Sequence, residues 1–148
     1  MYQSAQRRIN ISTSLIGKAK ELEVASILIS NGLYVFFPLV DAGFDLVVTN
    51  RAGKIFIPVQ VKYRTSDPAL NLHEKDINNF KDTEVVVAWL IGQGETKKSW
   101  YLPFSKWSDH AVKPKRTDNM SYVTINKHKW LSDYEGVHGI EKSFSALL

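Results

Sequence analysis

The 148-residue sequence contains no cysteine and no long apolar run. The absence of cysteine excludes disulfides, thiolate nucleophiles and cysteine-based zinc sites, and it is typical of a reducing compartment. No segment approaches the roughly 20 apolar residues of a membrane-spanning helix, and the first ten residues, MYQSAQRRIN, lack the apolar core of a signal peptide. We therefore expect a soluble cytoplasmic protein that has no membrane partner.

Other absences limit the number of domains and the kinds of binding site that the chain can have. The sequence has no repeat or low-complexity linker, and its length, with 44% apolar residues, is enough for one core but short for two. We therefore expect a single domain over residues 1–148. No glycine-rich dinucleotide or phosphate-binding loop is present, because the GQG at residues 92–94 lies in a predicted hairpin turn.

Apolar periodicity predicts one long helix near the start of the chain. A hydroxyl side chain within residues 12–14 can cap this helix, and Asn31 followed by Gly32 is a favourable helix stop. The residues that fall on one stripe of a 3.6-residue period are Leu15, Ala19, Leu22, Ser26 and Ile29.

The rest of the chain predicts strands interrupted by short helices. The run TEVVVAWLI is apolar throughout, which indicates a strand that is covered on both faces. Short helices are expected around HEKDINNF and after a cap at Asn126, and no regular structure is expected from Gly136 onward. This order predicts an α/β fold with a mixed sheet flanked by helices. The other predicted strands are LYVFFP, FDLVVT, KIFIPVQVKY, SWYLPF and SYVTI.

Two polar residues interrupt one of these apolar strands. Gln60 and Lys62 are two positions apart, so their side chains share one face while Val59 and Val61 share the other. A solvated edge strand would also explain the pair, and Pro58 favours that alternative because proline cannot donate to a central ladder.

The preceding hairpin predicts an acid on the same face. If residues 50–53 form a four-residue loop, Thr49 pairs with Lys54 and Asp45 pairs with Pro58. Asp45 then shares a face with Gln60 and Lys62. A loop of odd length or a β-bulge at Pro58 would break this arrangement. Alternatively, Asp45 only ends the loop before the strand and has no role in a site.

Together these groups match the chemistry of a divalent-cation site. Asp45, the amide oxygen of Gln60 and the backbone carbonyl of Val61 are hard oxygen donors, which Mg²⁺ and Mn²⁺ accept. Lys62 would then position or activate water. A cation beside a phosphodiester neutralises charge and lowers the pKa of bound water, which are the two effects that hydrolysis needs.

The order of three segments resembles the PD-(D/E)xK nuclease superfamily. GKAKELEVASILISNG, FDLVV and VQVK follow one another between residues 17 and 64, like the helix and the acid-bearing hairpin of that superfamily. The resemblance implies a restriction-endonuclease-like core, with residues 97–148 as a C-terminal elaboration. It also implies hydrolysis that leaves a 5′-phosphate and a 3′-hydroxyl.

The resemblance assigns roles to individual residues. Asp45 matches the metal-binding aspartate, Gln60 the variable second ligand and Lys62 the catalytic lysine. Glu21 matches the glutamate of the first helix, which is a further metal ligand. Periodicity alone does not choose between Glu21 and Glu23, because the two flank the apolar stripe symmetrically.

Two positions depart from the usual pattern. Phe44 stands before Asp45, where proline is frequent, and Gln60 replaces an acid, which removes a negative charge and weakens metal affinity. The helix spacing is similar to that of archaeal Holliday-junction resolvases. A glutamine at this place resembles the branch of the superfamily that includes a group I intron-encoded homing endonuclease. The carboxylate of Glu21 could restore part of the missing negative charge.

Positive charge is concentrated in the second half of the chain. Residues 97–129 hold eight Lys or Arg against two Asp, a net charge of +6. We expect Lys113, Lys115, Arg116 and Arg64 to contact DNA phosphates, although a basic surface loop also serves solubility alone.

These observations favour a metal-dependent DNA endonuclease that uses Mg²⁺ or Mn²⁺. Because one small domain carries one site and duplex DNA has two strands, we expect a homodimer or homotetramer. One alternative is a catalytically inactive nuclease-fold module that binds DNA, and another is an unrelated small α/β protein. The DNA target is not encoded in any motif that we recognise.

Overall fold

The computed structural model describes residues 11–66, 68–113 and 119–148. In these residues no helix is long and apolar enough to cross a membrane. The α-helices of the described residues are α1 (Thr13–Ser30), α2 (Glu74–Phe80), α3 (Phe104–His110) and α4 (Gly136–Ser143). Their strands are β1 (Tyr34–Phe36), β2 (Leu46–Thr49), β3 (Ile57–Arg64), β4 (Ala69–His73), β5 (Val86–Ile91), β6 (Lys98–Pro103) and β7 (Met120–Thr124).

The main sheet is mixed, as the sequence predicts. Its strand order is β1-β2-β3-β5-β6, with β3 and β5 parallel and the other neighbours antiparallel. The parallel pair needs a crossover connection, which here contains β4 and α2. β4 pairs with β7 in a separate two-stranded ribbon. The predicted α/β fold, a mixed sheet flanked by helices, is therefore confirmed.

Strand β3 lies at the centre of this sheet. It pairs with β2 on one side and with β5 on the other, so the edge-strand alternative for Gln60 and Lys62 is wrong. Pro58 pairs with Val47 of β2, and the pairing of β3 with β5 begins one residue later, at Val59. The proline therefore lies outside the parallel ladder, where its missing N–H has no consequence.

Apolar side chains fill both faces of the sheet. On one face α1 and α4 cover the strands, and on the other face α2, α3 and the β4-β7 ribbon cover them. Every residue of β5 is buried, which confirms the prediction of a strand covered on both faces. The indole N–H of Trp107 donates to the carbonyl of Leu70 at 2.9 Å, which joins α3 to the ribbon.

Helix α1 has the predicted limits but a different buried side. Ser12 caps it by accepting a hydrogen bond from the Leu15 N–H, and Gly32, with φ of 86°, provides the left-handed stop. The periodic stripe that predicts the helix faces away from the sheet. Val24, Ala25 and Leu28 are buried against the sheet instead.

Several short elements escape sequence analysis. Strand β4 and helix α3 have five and seven residues, too few to show a periodic pattern. The short helix expected around Trp130, Leu131 and Tyr134 is present as a 3-10 helix, Lys129–Tyr134. Its predicted cap at Asn126 is wrong, because this helix follows His128 and Asn126 belongs to a separate 3-10 turn, Ile125–Lys127.

The C-terminal segment, for which we expected no regular structure, forms α4 and a final 3-10 turn. Two glycines give α4 a low intrinsic propensity, so its packing stabilises it. A Cβ at Gly139 would overlap the carbonyl of Tyr134, so close backbone contact requires this glycine. The Ser143 hydroxyl donates to the carbonyl of Tyr101 in β6 at 2.7 Å.

Helix α4 is expected to be essential for stability. Phe144 follows α4 and is fully buried in the core that α1 shares, so Phe144→Ala should lower the free energy of unfolding by about 3–5 kcal/mol. Val137→Ala is the matched control, because Val137 lies in α4 but is 53% exposed. Urea unfolding measures both variants. Equal effects of the two substitutions would contradict this account of the core.

Candidate active site

The hairpin of β2 and β3 places Asp45 beside the Gln-Val-Lys segment. The predicted pairing of Asp45 with Pro58 is wrong by two residues, since the Asp45 N–H donates to the carbonyl of Val59 at 2.9 Å and Val47 pairs with Pro58. A two-residue shift leaves every side chain on its original face, because the side-chain period of a strand is two. Asp45 therefore lies opposite Gln60, on the face that also carries Lys62.

Asp45 is held by two hydrogen bonds from β3. The Gln60 side-chain amide and the Val61 backbone N–H each donate to its Oδ2 at 2.7 Å. The N–H and C=O of one strand residue point to the same edge of that strand. The Val61 carbonyl therefore lies on the Asp45 side of β3, beyond the end of the ladder with β2.

Burial makes the Asp45 carboxylate unusually basic. It raises the pKa of this carboxyl from 3.8 to about 6. The Val61 hydrogen bond opposes the increase in pKa, the negative charge of Glu21 adds to it, and the Lys62 and Lys18 charges oppose it. The protein thus holds a carboxylate in surroundings that favour its neutralisation by a proton or a cation.

The structure separates the two glutamates of α1. Glu21 is a lining residue of the cleft that also contains Asp45, and it forms an ion pair with Lys18 one turn earlier. Glu23 points elsewhere, where it pairs with Lys97 and with Lys20. Of the two residues that periodicity left open, Glu21 is the one that reaches the site.

Lys62 has a partner that sequence analysis missed. Its ammonium lies 2.7 Å from a carboxylate oxygen of Asp76, and both side chains are mostly buried. Asp76 belongs to the first turn of α2, on the crossover connection between β3 and β5. No local pattern links residues 62 and 76, although an acid in the first turn of a predicted helix was visible in the sequence.

The site opens into a cleft of about 340 Å³. Arg64 lies at the end of β3, two residues beyond Lys62 and on the same face, so the structure brings it to the site. Lys113 is exposed and is not among the lining residues, and Lys115 and Arg116 lie outside the described residues. The cleft is lined by Gly17, Glu21, Asp45, Asn71, His73 and the β3 residues 60–64.

The oxygen donors at the cleft are of the kind that a hard divalent cation accepts. No group of three or more His, Cys, Asp or Glu side chains converges anywhere in residues 11–66, 68–113 and 119–148. Two carboxylates, those of Glu21 and Asp45, meet the Gln60 amide and the Val61 carbonyl at one cleft, and such oxygen donors suit Mg²⁺. A neutral Gln60 in place of an acid explains why an acidic cluster is missing here.

The raised pKa of Asp45 predicts a pH-dependent stability. The folded state binds this proton more tightly than the unfolded chain, so its contribution is complete below pH 4 and is lost as the pH rises through about 6. Asp45→Asn keeps an acceptor for the Val61 N–H but removes the charge. It should raise the free energy of unfolding at pH 8 relative to wild type by about 1–3 kcal/mol.

Urea unfolding at pH 4 and pH 8 tests this expectation. Asp41→Asn, in the exposed loop before β2, is the matched control and should change the free energy of unfolding by less than about 0.5 kcal/mol. A difference between Asp45→Asn and wild type that is the same at both pH values would contradict the raised pKa.

Two solved structures have a similar fold. Hjc, a Holliday junction resolvase from Archaeoglobus fulgidus, is 17% identical with a TM-score of 0.52, over 75% of this chain and 85% of Hjc. The bacterial homing endonuclease I-Ssp6803I is 16% identical with a TM-score of 0.56, over 91% of this chain and 96% of that one. No protein-family model and no curated protein sequence matches the chain. The chain has the mixed α/β fold of these two nucleases.

Proposed function

We propose that this protein is a metal-dependent DNA endonuclease that hydrolyses phosphodiester bonds. The observation that carries this proposal is the convergence of Glu21, Asp45, Gln60 and Lys62 at one cleft, from a helix and two strands. Both similar structures are nucleases by name, a Holliday junction resolvase and a homing endonuclease. The shared fold and the chemistry of the cleft thus support the same activity.

Mg²⁺ or Mn²⁺ is the proposed cofactor. Asp45, Glu21, the Gln60 amide oxygen and the Val61 carbonyl would hold it, and it would supply charge neutralisation and activation of water. Gln60 now turns its amide nitrogen toward Asp45. It must rotate this amide to present its oxygen, so we expect the cation to bind with a rearrangement of this one side chain.

Lys62 supplies the positive charge of the site. The Lys62 side chain is held 2.7 Å from an Asp76 carboxylate oxygen, so we propose that Lys62 stabilises charge on the phosphate and orients water. Asp76 is then a positioning residue that acts through Lys62. Arg64, farther along the same face, would contact an adjacent phosphate, and Lys113, Lys115 and Arg116 would contact the DNA backbone outside the cleft.

A catalytically inactive DNA-binding module is the second candidate. The Gln60 amide bonded to Asp45 favours it, because a hydrogen-bond donor occupies the oxygen that a cation would otherwise use. Binding by either candidate should weaken steeply with salt, since the basic residues displace counterions from DNA. Cleavage is therefore the property that separates the two.

Cleavage of supercoiled plasmid tests the proposed activity. Wild-type protein should nick or cut the plasmid with Mg²⁺ or Mn²⁺ and not with EDTA, and Asp45→Asn and Lys62→Ala should each lose at least about 100-fold in rate. Lys75→Ala is the matched control, because Lys75 is an exposed lysine on α2 near the same cleft. Salt-sensitive binding without cleavage of plasmid, junction or single-stranded DNA would favour the inactive module.

Removal of the Asp76 carboxylate tests its positioning role. Asp76→Asn should lower kcat by about 10- to 100-fold with little change in KM, because a displaced Lys62 loses its alignment with the phosphate. Asp76→Glu should restore part of kcat, and Glu74→Gln on the same helix turn should have no effect. Measurement of kcat and KM between pH 6 and 9 checks this. An equal loss in Asp76→Glu and Asp76→Asn would indicate a structural role instead.

A further inference from the structure

One side of the molecule is apolar and exposed. Of the fourteen exposed large apolar residues in the described part of the chain, eleven lie between Ile11 and Phe56. We give the name apolar flank to six of these, which lie along α1 and in the segment after β1. They are Leu15, Leu22, Ile29, Phe37, Leu39 and Val40, and each exposes at least 43% of its surface.

Helix α1 is apolar on two opposite sides. Val24, Ala25 and Leu28 bury one side against the sheet, whereas Leu15, Leu22 and Ile29 are 53–64% exposed on the other. A surface helix normally carries one apolar stripe, and a helix that is apolar all round is normally covered on every side. The exposed apolar side of α1 is therefore expected to be covered by a binding partner.

The outer stripe has the spacing of a helix-pairing seam. Its members, at positions 15, 19, 22, 26 and 29, alternate in steps of four and three residues, which is the a/d pattern of paired helices. Small residues, Ala19 and Ser26, occupy the alternate positions and allow a second helix to approach closely. The expected occupant of this seam is thus another amphipathic helix.

The two parts of the apolar flank meet at Phe37, and together they offer enough apolar surface for a stable interface. The Lys18 ammonium lies 5.6 Å from the centre of the Phe37 ring, which joins α1 to the segment after β1. At roughly 100 Å² of exposed surface per side chain, the six residues offer about 600 Å². A standard interface uses about 800 Å² per partner, of which about 60% is apolar.

We propose that the apolar flank is the surface through which two copies of this chain associate. The choice of a second copy rests on the proposed function, because one cleft per chain must act on two DNA strands. None of the flank residues lines the cleft, and Leu22 is adjacent in sequence to Glu21. Association through the flank therefore covers none of the residues that line the cleft.

Sedimentation equilibrium without DNA tests this proposal on the full chain. Wild-type protein should form a dimer or a tetramer at micromolar concentration, and Leu22→Glu should weaken the association at least tenfold. Val137→Glu is the matched control, because Val137 and Leu22 are both 53% exposed and Val137 lies outside the flank. Circular dichroism verifies that each variant is folded. A monomeric wild type would overturn the proposal.

A cross-linking test does not depend on the folding of Leu22→Glu. Since the chain has no cysteine, Ala19→Cys, Leu22→Cys and Ser26→Cys each introduce a single thiol on the seam. A disulfide-linked dimer from at least one of them, and none from Val137→Cys, supports the proposal. An association that Leu22→Glu leaves unchanged, with no cross-link on the seam, assigns the interface to another surface.

The two proposals fail in different ways. The molecular mass and the cross-linking yield are measured in the absence of DNA, so neither depends on nuclease activity. A dimer that does not cut DNA would refute the endonuclease activity and retain the interface, whereas an enzyme that cuts as a monomer would refute the interface and retain the activity.

Discussion

The hydrogen bonds from β3 to the Asp45 carboxylate are the interaction on which the site depends. Through Oδ2, the Gln60 amide and the Val61 N–H hold the start of β2 against the middle of β3. That contact fixes the side of β3 to which the Val61 carbonyl turns, and it keeps a carboxylate in a partly buried position. This partly buried position raises the pKa of Asp45, whereas the Val61 hydrogen bond by itself opposes that increase.

The central place of β3 makes this geometry rigid. Because β2 and β5 pair with it on both sides, the strand cannot slip without breaking two ladders. The crossover between β3 and β5 then carries α2 over the site, and Asp76 meets Lys62 there. Helix α1 contributes in the same way on another side of the cleft, where Glu21 faces the site while the outer stripe stays exposed.

Sequence analysis succeeds where a pattern is local and fails where packing chooses between equal patterns. The limits of α1 follow from Ser12 and Gly32, and the buried strand β5 follows from its unbroken apolar run. The buried side of α1 is not predictable in this way, because the helix has apolar residues on both sides. Helix α4 is not predictable from the sequence either, because its glycines lower its helix propensity. The reason for one of these glycines, its close contact with the Tyr134 backbone, is visible only in the packed structure.

By itself, the sequence determined that Asp45, Gln60 and Lys62 share a face. That relation depends on the parity of the strand register, so it survives the two-residue shift between the predicted and the observed pairing. Periodicity left Glu21 and Glu23 open and only the resemblance favoured Glu21, which the tertiary structure places at the cleft. That Asp76 pairs with Lys62 was decided by the tertiary structure alone. These contacts join elements that are far apart along the chain, and their geometry depends on how the whole core packs.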